Sequence, residues 1–199
     1  MKSAIKKSVA LSLVFAMIFS FTACSSKTAM TEENITKTVE TVETALKEFD
    51  TETLEKYVSS PTLEYIIKFA SNHEQFVELG KAIFADLEME VKAVDVENQT
   101  VTIAVTNKNL SAGAKLFAQK LKNDYSSFQL LGLLDDESFL DSSLSELVGY
   151  IQKSILSSEA DITLKVEKGK KNLVLGFDDK AEDAVSGGAL SSIKSIFGK

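Results

Sequence analysis

Hydrophobic positions change period several times along this chain. Between Thr31 and Asp50, Ile35, Val39, Val42, Leu46 and Phe49 recur every three or four residues behind an acidic start at Glu32 and Glu33. That spacing predicts an amphipathic helix whose first turn suits the positive end of its dipole. "DTETLEKYV" predicts a second, short helix capped by Asp50 or Thr51. Pro61, the single proline, opens a third at "PTLEYIIKFA", and "HEQFVELGKAIFAD" continues helically to about Ala85. The period then falls to two. Leu87, Met89 and Val91 alternate with Glu88, Glu90 and Lys92, an offset at Ala93 marks a bulge, and Val101, Ile103 and Val105 alternate after "ENQ". Two such runs around a polar turn predict an antiparallel hairpin.

Helical spacing returns at Ser111. Leu116, Leu121, Phe128 and Leu131 mark one helix or two shorter ones, and Phe139, Leu144, Leu147, Val148, Ile151 and Ile155 mark another. "ADITLKVEKGKKNLVLGF" predicts a second hairpin, pairing Ile162, Leu164 and Val166 with Leu173, Leu175 and Phe177. Gly187-Gly188 is a break before an amphipathic end, "ALSSIKSIFGK". Helices, hairpin, helices, hairpin is an order incompatible with a parallel α/β sheet. It predicts an α+β fold: N-terminal helices packed on an antiparallel sheet of about four strands, with helices inserted between the two hairpins.

The first 23 residues read differently. Lys2, Lys6 and Lys7 precede an uncharged run from Ser8 to Ser26 with the apolar centre "VALSLVFAMIF", the order of an export signal. A membrane-spanning helix needs roughly 20 predominantly apolar residues, so this run is borderline for one. Ordinary signal cleavage after Ala23 would place the bulky Phe21 at a position that prefers a small residue. "FTAC" resembles instead the lipobox of bacterial lipoproteins, with Thr22, Ala23 and Cys24 matching and Phe21 in place of leucine. The resemblance implies cleavage before Cys24 and a diacylglyceryl thioether on its sulfur, two acyl chains being enough for stable anchoring. It assigns residues 1–23 to a signal peptide, 24–30 to the lipidated cysteine and a tether, and 31–199 to a single α+β domain. Six flexible tether residues reach about 13 Å. The partner so implied is the lipid bilayer, and the location is the extracytoplasmic face of the cell membrane.

"VETALKEFDTETLEKYVSS" and "KAIFADLEMEVKAVDVENQTVTIAVTNKNL" add a second likeness. In element order, over about residues 35–178, the chain resembles small lipoproteins of unknown function from low-GC Gram-positive bacteria. These have a nuclear-transport-factor-2-like, or cystatin-like, α+β roll. No functional residue is carried over. The resemblance implies a conical cavity between sheet and helices, for which Tyr65, Phe69, Phe84, Met89 and Ile103 are the candidate lining, against the plainer expectation of a packed core.

Charge and chemistry narrow the functions. The chain has a formal net charge of −7, and loss of Lys2, Lys6 and Lys7 would deepen it to −10. Every one of its 22 basic residues is lysine. A chain this acidic is an unsuitable partner for nucleic acid, whose phosphates need clustered cations. His73 is the only histidine, in the polar "SNHEQF", where a cap or surface role is expected. Zinc sites use several Cys or His ligands, and no P-loop, dinucleotide or nucleophile-elbow motif occurs. "DDES" at Asp135–Ser138 and "DDKAED" at Asp178–Asp183 do not match a calcium loop and read as helix starts. No cofactor or metal is expected, and no catalytic residue is assigned. The expectation is a non-catalytic binding or interaction role at the cell envelope, with an envelope protein or a small apolar ligand as partner. The rivals are a carrier of a small apolar ligand and a small hydrolase or isomerase using a cavity carboxylate. Glu88, Glu90 and Asp95 are expected to face outward, against the enzyme.

Overall fold

The computed structural model of the chain describes residues 28–197, which form an α+β fold. The signal segment 1–23, Cys24 and the first part of the tether lie outside the described residues. Ala29 and Met30, which precede the first helix of the fold, make fixed contacts. The Ala29 carbonyl accepts from Thr31 N at 3.0 Å and from the Asn34 side chain at 2.9 Å, and Met30 packs on the main core.

The elements are α1 (Glu32–Glu48), α2 (Thr51–Tyr57), β1 (Val58–Ser59), α3 (Pro61–Ala70), α4 (Glu74–Phe84), β2 (Glu88–Asp95), β3 (Thr100–Lys108), α5 (Ser111–Asp124), α6 (Ser127–Leu133), α7 (Glu137–Lys153), β4 (Ser157–Lys168), β5 (Leu173–Gly176), α8 (Asp179–Val185) and α9 (Ala189–Phe197). Side-chain caps start most of them. Thr31, Asp50, Ser60, Ser126, Asp136 and Asp178 each accept from a backbone N–H in the first turn, removing an otherwise orphaned donor. Asp136 and Asp178 account for both acidic stretches as helix starts.

The sheet has five strands in the order β1-β5-β4-β3-β2, not about four. The addition is β1, two residues paired parallel to β5 at the edge, so the sheet is mixed. A two-residue strand leaves no alternation to read. The rest follows the expected hairpins: Val91 faces Ile103 across β2–β3, the register slips between Val91 and Ala93, and Val166 faces Leu175 across β4–β5. One sheet face is apolar and buried. The other is polar, with the Thr102 and Thr163 hydroxyls 3.0 Å apart. Such one-sided alternation is the signature of an antiparallel sheet solvated on one face.

α1 lies on the apolar face against β2 and β5, where Ile35, Val39, Val42 and Leu46 meet the inward strand residues. α5, α7 and α9 build a second, smaller core from Leu110, Ala114, Phe117, Leu147, Ile151 and Ala189, joined to the first through α4. The C-terminal segment therefore docks on α5. The apolar spacing of "SSFQLLGL" does not mark an inner face: Phe128 is 86% exposed and Leu131 67%. α6 is held by a local capping box between Ser126 and Gln129. Among the described residues no helix is long and apolar enough to cross a membrane.

Candidate functional site

A cavity of about 210 Å³ lies where α1 ends and α3, α4, α8 and α9 converge. Its inner wall is Leu46 and Phe49 from the end of α1, Leu63 from α3, Gly80 and Phe84 from α4, and Phe177 just past β5. Val185 and Ala189 close the far side, and half-buried Leu190 and Ile193 with the exposed Ile66 border the side nearer solvent.

One wall rests on a tight local arrangement. Phe49 ends α1 in the left-handed region, at φ 50° and ψ 45°, and its N–H bonds the Ala45 and Leu46 carbonyls. That turn sends its ring back over α4, where it stacks on Phe84 with centroids 6.4 Å apart. The ring occupies the space a side chain at Gly80 would need: a Cβ there would sit 2.2 Å from the nearest ring carbon.

The opposite corner carries the site's charge. Glu182, 7% exposed, projects from α8 to the start of α3. Its Oε1 accepts from the Ser60 hydroxyl, 1% exposed, and from Thr62 N at 3.3 Å. Ser60 in turn accepts from Leu63 N at 3.0 Å, so hydroxyl and carboxylate together cap α3. The second oxygen, Oε2, is buried without a hydrogen-bond partner among the described residues. No described lysine pairs with Glu182: Lys194, on α9, bonds Asp179 at 2.9 Å.

The expected lining fares unevenly. Phe84 is in the wall. Tyr65 is not: α3 turns Leu63, Ile67 and Ala70 inward, leaving Tyr65 70% exposed. Phe69 is half-buried and stacks on Phe76, a residue of the wall. Met89 and Ile103 are buried in the main core beneath α1, because the void lies among the helices and not between helices and sheet. Glu88, Glu90 and Asp95 face solvent as expected. The buried carboxylate comes instead from the acidic stretch that reads as a helix start. There, Asp178 Oδ1 caps α8 at Ala181 N, Asp183 accepts from Ser191 N at 2.8 Å, and only Glu182 turns inward. Its signal is its place beside Ala181 and three residues before Val185, on the apolar stripe.

His73 occupies the N-cap position of α4 without a side-chain cap bond; its Nδ1 is buried and unpartnered, and its ring lies 6.3 Å from that of Phe76. Among the described residues no group of three or more His, Cys, Asp or Glu is placed to hold a metal ion. Comparison with protein families, curated proteins and solved structures gave no match to this chain.

Proposed function

We propose that this chain is a lipid-anchored binding protein of the cell envelope whose folded domain holds a small, largely apolar ligand. The cavity carries this reading. It offers about 210 Å³ behind a wall that is almost wholly apolar and opens toward solvent past Ile66, Leu190 and Ile193, the concave apolar form that small-molecule sites take. A dry apolar cavity of about 150 Å³ is enough to bind benzene. The space among α3, α4 and α9 thus suits one ring with a short chain. The anchor is the diacylglyceryl group on Cys24, and the ordered Ala29 and Met30 keep the domain close to the bilayer.

Two measurements test the two halves separately. Radiolabelled palmitate enters the wild type and not Cys24→Ala; equal labelling removes the anchor. Single-ring alkylbenzenes raise the unfolding temperature of the full chain, and Leu190→Trp, which blocks the cavity, abolishes that shift. A shift surviving in the blocked variant places the ligand elsewhere.

Glu182 favours a second reading, a small hydrolase or isomerase with that carboxylate as its base. Proton transfer requires the base within hydrogen-bond reach of the substrate atom. Turnover of ester or unsaturated-ketone panels that disappears in Glu182→Gln supports it, and absence of turnover in the wild type removes it.

A further inference from the structure

We infer that the cavity ligand carries a cationic amino group on its apolar body and that Glu182 is the residue that reads it. The inference rests on the cavity being a ligand site and adds the chemistry of the ligand. Most of the wall is aliphatic or aromatic. Of its other polar side chains, Thr62 is only half-buried, and the Ser60 hydroxyl is engaged on both sides, donating to Glu182 and accepting from Leu63 N. The Ser186 hydroxyl is likewise used, donating to the Asp183 carbonyl at 3.1 Å and accepting from Leu190 N at 3.3 Å. Glu182 alone combines deep burial with a free acceptor, Oε2.

A carboxylate oxygen offers lone pairs and no proton of its own when ionised. Leaving it buried and unpaired is costly, and that cost is relieved by a donor, most strongly by a charged one. Among the described residues no donor reaches it: α3 satisfies Oε1 only, and the Lys194 ammonium bonds Asp179, acting on Glu182 only through its field. An ammonium entering from the cavity would give Oε2 the charged donor that the described residues do not. Oε2 is shielded from the cavity. The terminal torsion of a glutamate is soft, so the carboxylate swings as a whole to reach an entering ammonium, and the Ser60 hydroxyl, which rotates freely, can follow it. An anionic ligand would meet like charge in a low-dielectric wall and be rejected.

Two probes of nearly equal shape separate the terms. 2-Phenylethylamine and propylbenzene differ only in ammonium against methyl, and both suit one ring with a short chain. Binding is measured by calorimetry on the full chain in lipid nanodiscs, with empty nanodiscs as blank, for wild type and Glu182→Gln. Glutamine keeps an acceptor for Ser60 and Thr62 N, and thermal unfolding checks that the variant is folded. Hydrogen bonds to a charged group predict an amine preference of about ten- to a hundred-fold in the wild type. The preference collapses in Glu182→Gln, while propylbenzene binding stays within about two-fold, since the apolar wall is unchanged. Propylbenzene binding with no amine preference, or a preference that survives in Glu182→Gln, overturns the inference and leaves the cavity reading standing. Failure of both compounds to bind overturns the cavity reading and this inference with it.

Discussion

Gly80→Ala tests the packing that shapes the cavity. Alanine is the better helix former by about 0.5–1 kcal/mol, so an open site on α4 would gain stability. This site is not open. The new Cβ would lie 2.2, 2.4 and 2.5 Å from three carbons of the Phe49 ring, where comfortable contact is about 3.5–4.0 Å. The ring must retreat by more than 1 Å, roughly the difference between those distances. One of the three atoms is Cγ, so a turn of the ring about its own axis does not relieve the clash. The root of the side chain is also fixed, because Phe49 sits in the left-handed turn that closes α1. Overpacking of this kind costs about 1–3 kcal/mol. After the helix gain, the net loss is about 1–2 kcal/mol, a fall in unfolding temperature of roughly 2–8 °C for a chain of this size. The easiest direction for the ring is the void it lines, so propylbenzene binding should weaken as well. Thermal unfolding with and without propylbenzene reads both effects. A variant as stable as the wild type would show that Phe49 is not held as described, and unchanged ligand stabilisation would show that its ring does not border the ligand.

Ser60→Ala removes the α3 cap and one of the two donors to Glu182, and is expected to cost roughly 2–4 kcal/mol in urea unfolding; a loss within error would detach Glu182 from the stability of α3. Asn107, buried on β3, donates to the Ile83 carbonyl at 3.0 Å and the Val185 carbonyl at 2.7 Å. Asn107→Asp turns those donors into an acceptor facing two carbonyls and should cost about 3 kcal/mol or more by the same assay. Asp50 is held below the ordinary aspartate value of 3.8 by bonds from the Thr53 hydroxyl and the Thr53 N–H. A lowered folded-state value contributes stability that is present above 3.8 and is lost as pH falls through the folded value. Asp50→Asn cannot titrate and still caps, so its deficit in urea midpoint should shrink across that acid window, and a constant deficit would contradict the assignment.

How much of this was legible in the sequence depends on whether a residue's role is set locally or across the chain. α1 and the hairpins were legible because their apolar positions keep one period over many residues, and the bulge at Ala93 is itself a slip in that period. Ser60-Pro61 reads as a helix start for local reasons. α3 is harder: "PTLEYIIKFA" is apolar almost all round, so spacing alone does not choose between Leu63, Ile67 and Ala70 and the competing set of Tyr65 and Phe69. Packing against α4 makes the choice. β1 is too short to show a period, and its pairing with β5 joins residues more than a hundred positions apart. The same holds for the site, where Ser60 and Glu182 are 122 residues apart.

That long-range pair also separates what the fold needs from what it leaves over. Capping α3 needs one acceptor beside Ser60 and Thr62 N, and a glutamine oxygen would serve. The chain places a glutamate there, on the stripe of α8 that otherwise carries Ala181 and Val185 into the core. Its three acidic neighbours on the same stretch are consumed by a cap, an ion pair and a turn. Burying the fourth without a cation is unfavourable for stability. The open pocket beside it is unfavourable too, because it leaves apolar surface unburied. Two such costs at one corner of the fold are hard to assign to architecture, since either would be relieved by a modest substitution. They are relieved together by a single occupant with an apolar body and a positive end, and a site shaped to receive one pays for both at once when it is filled.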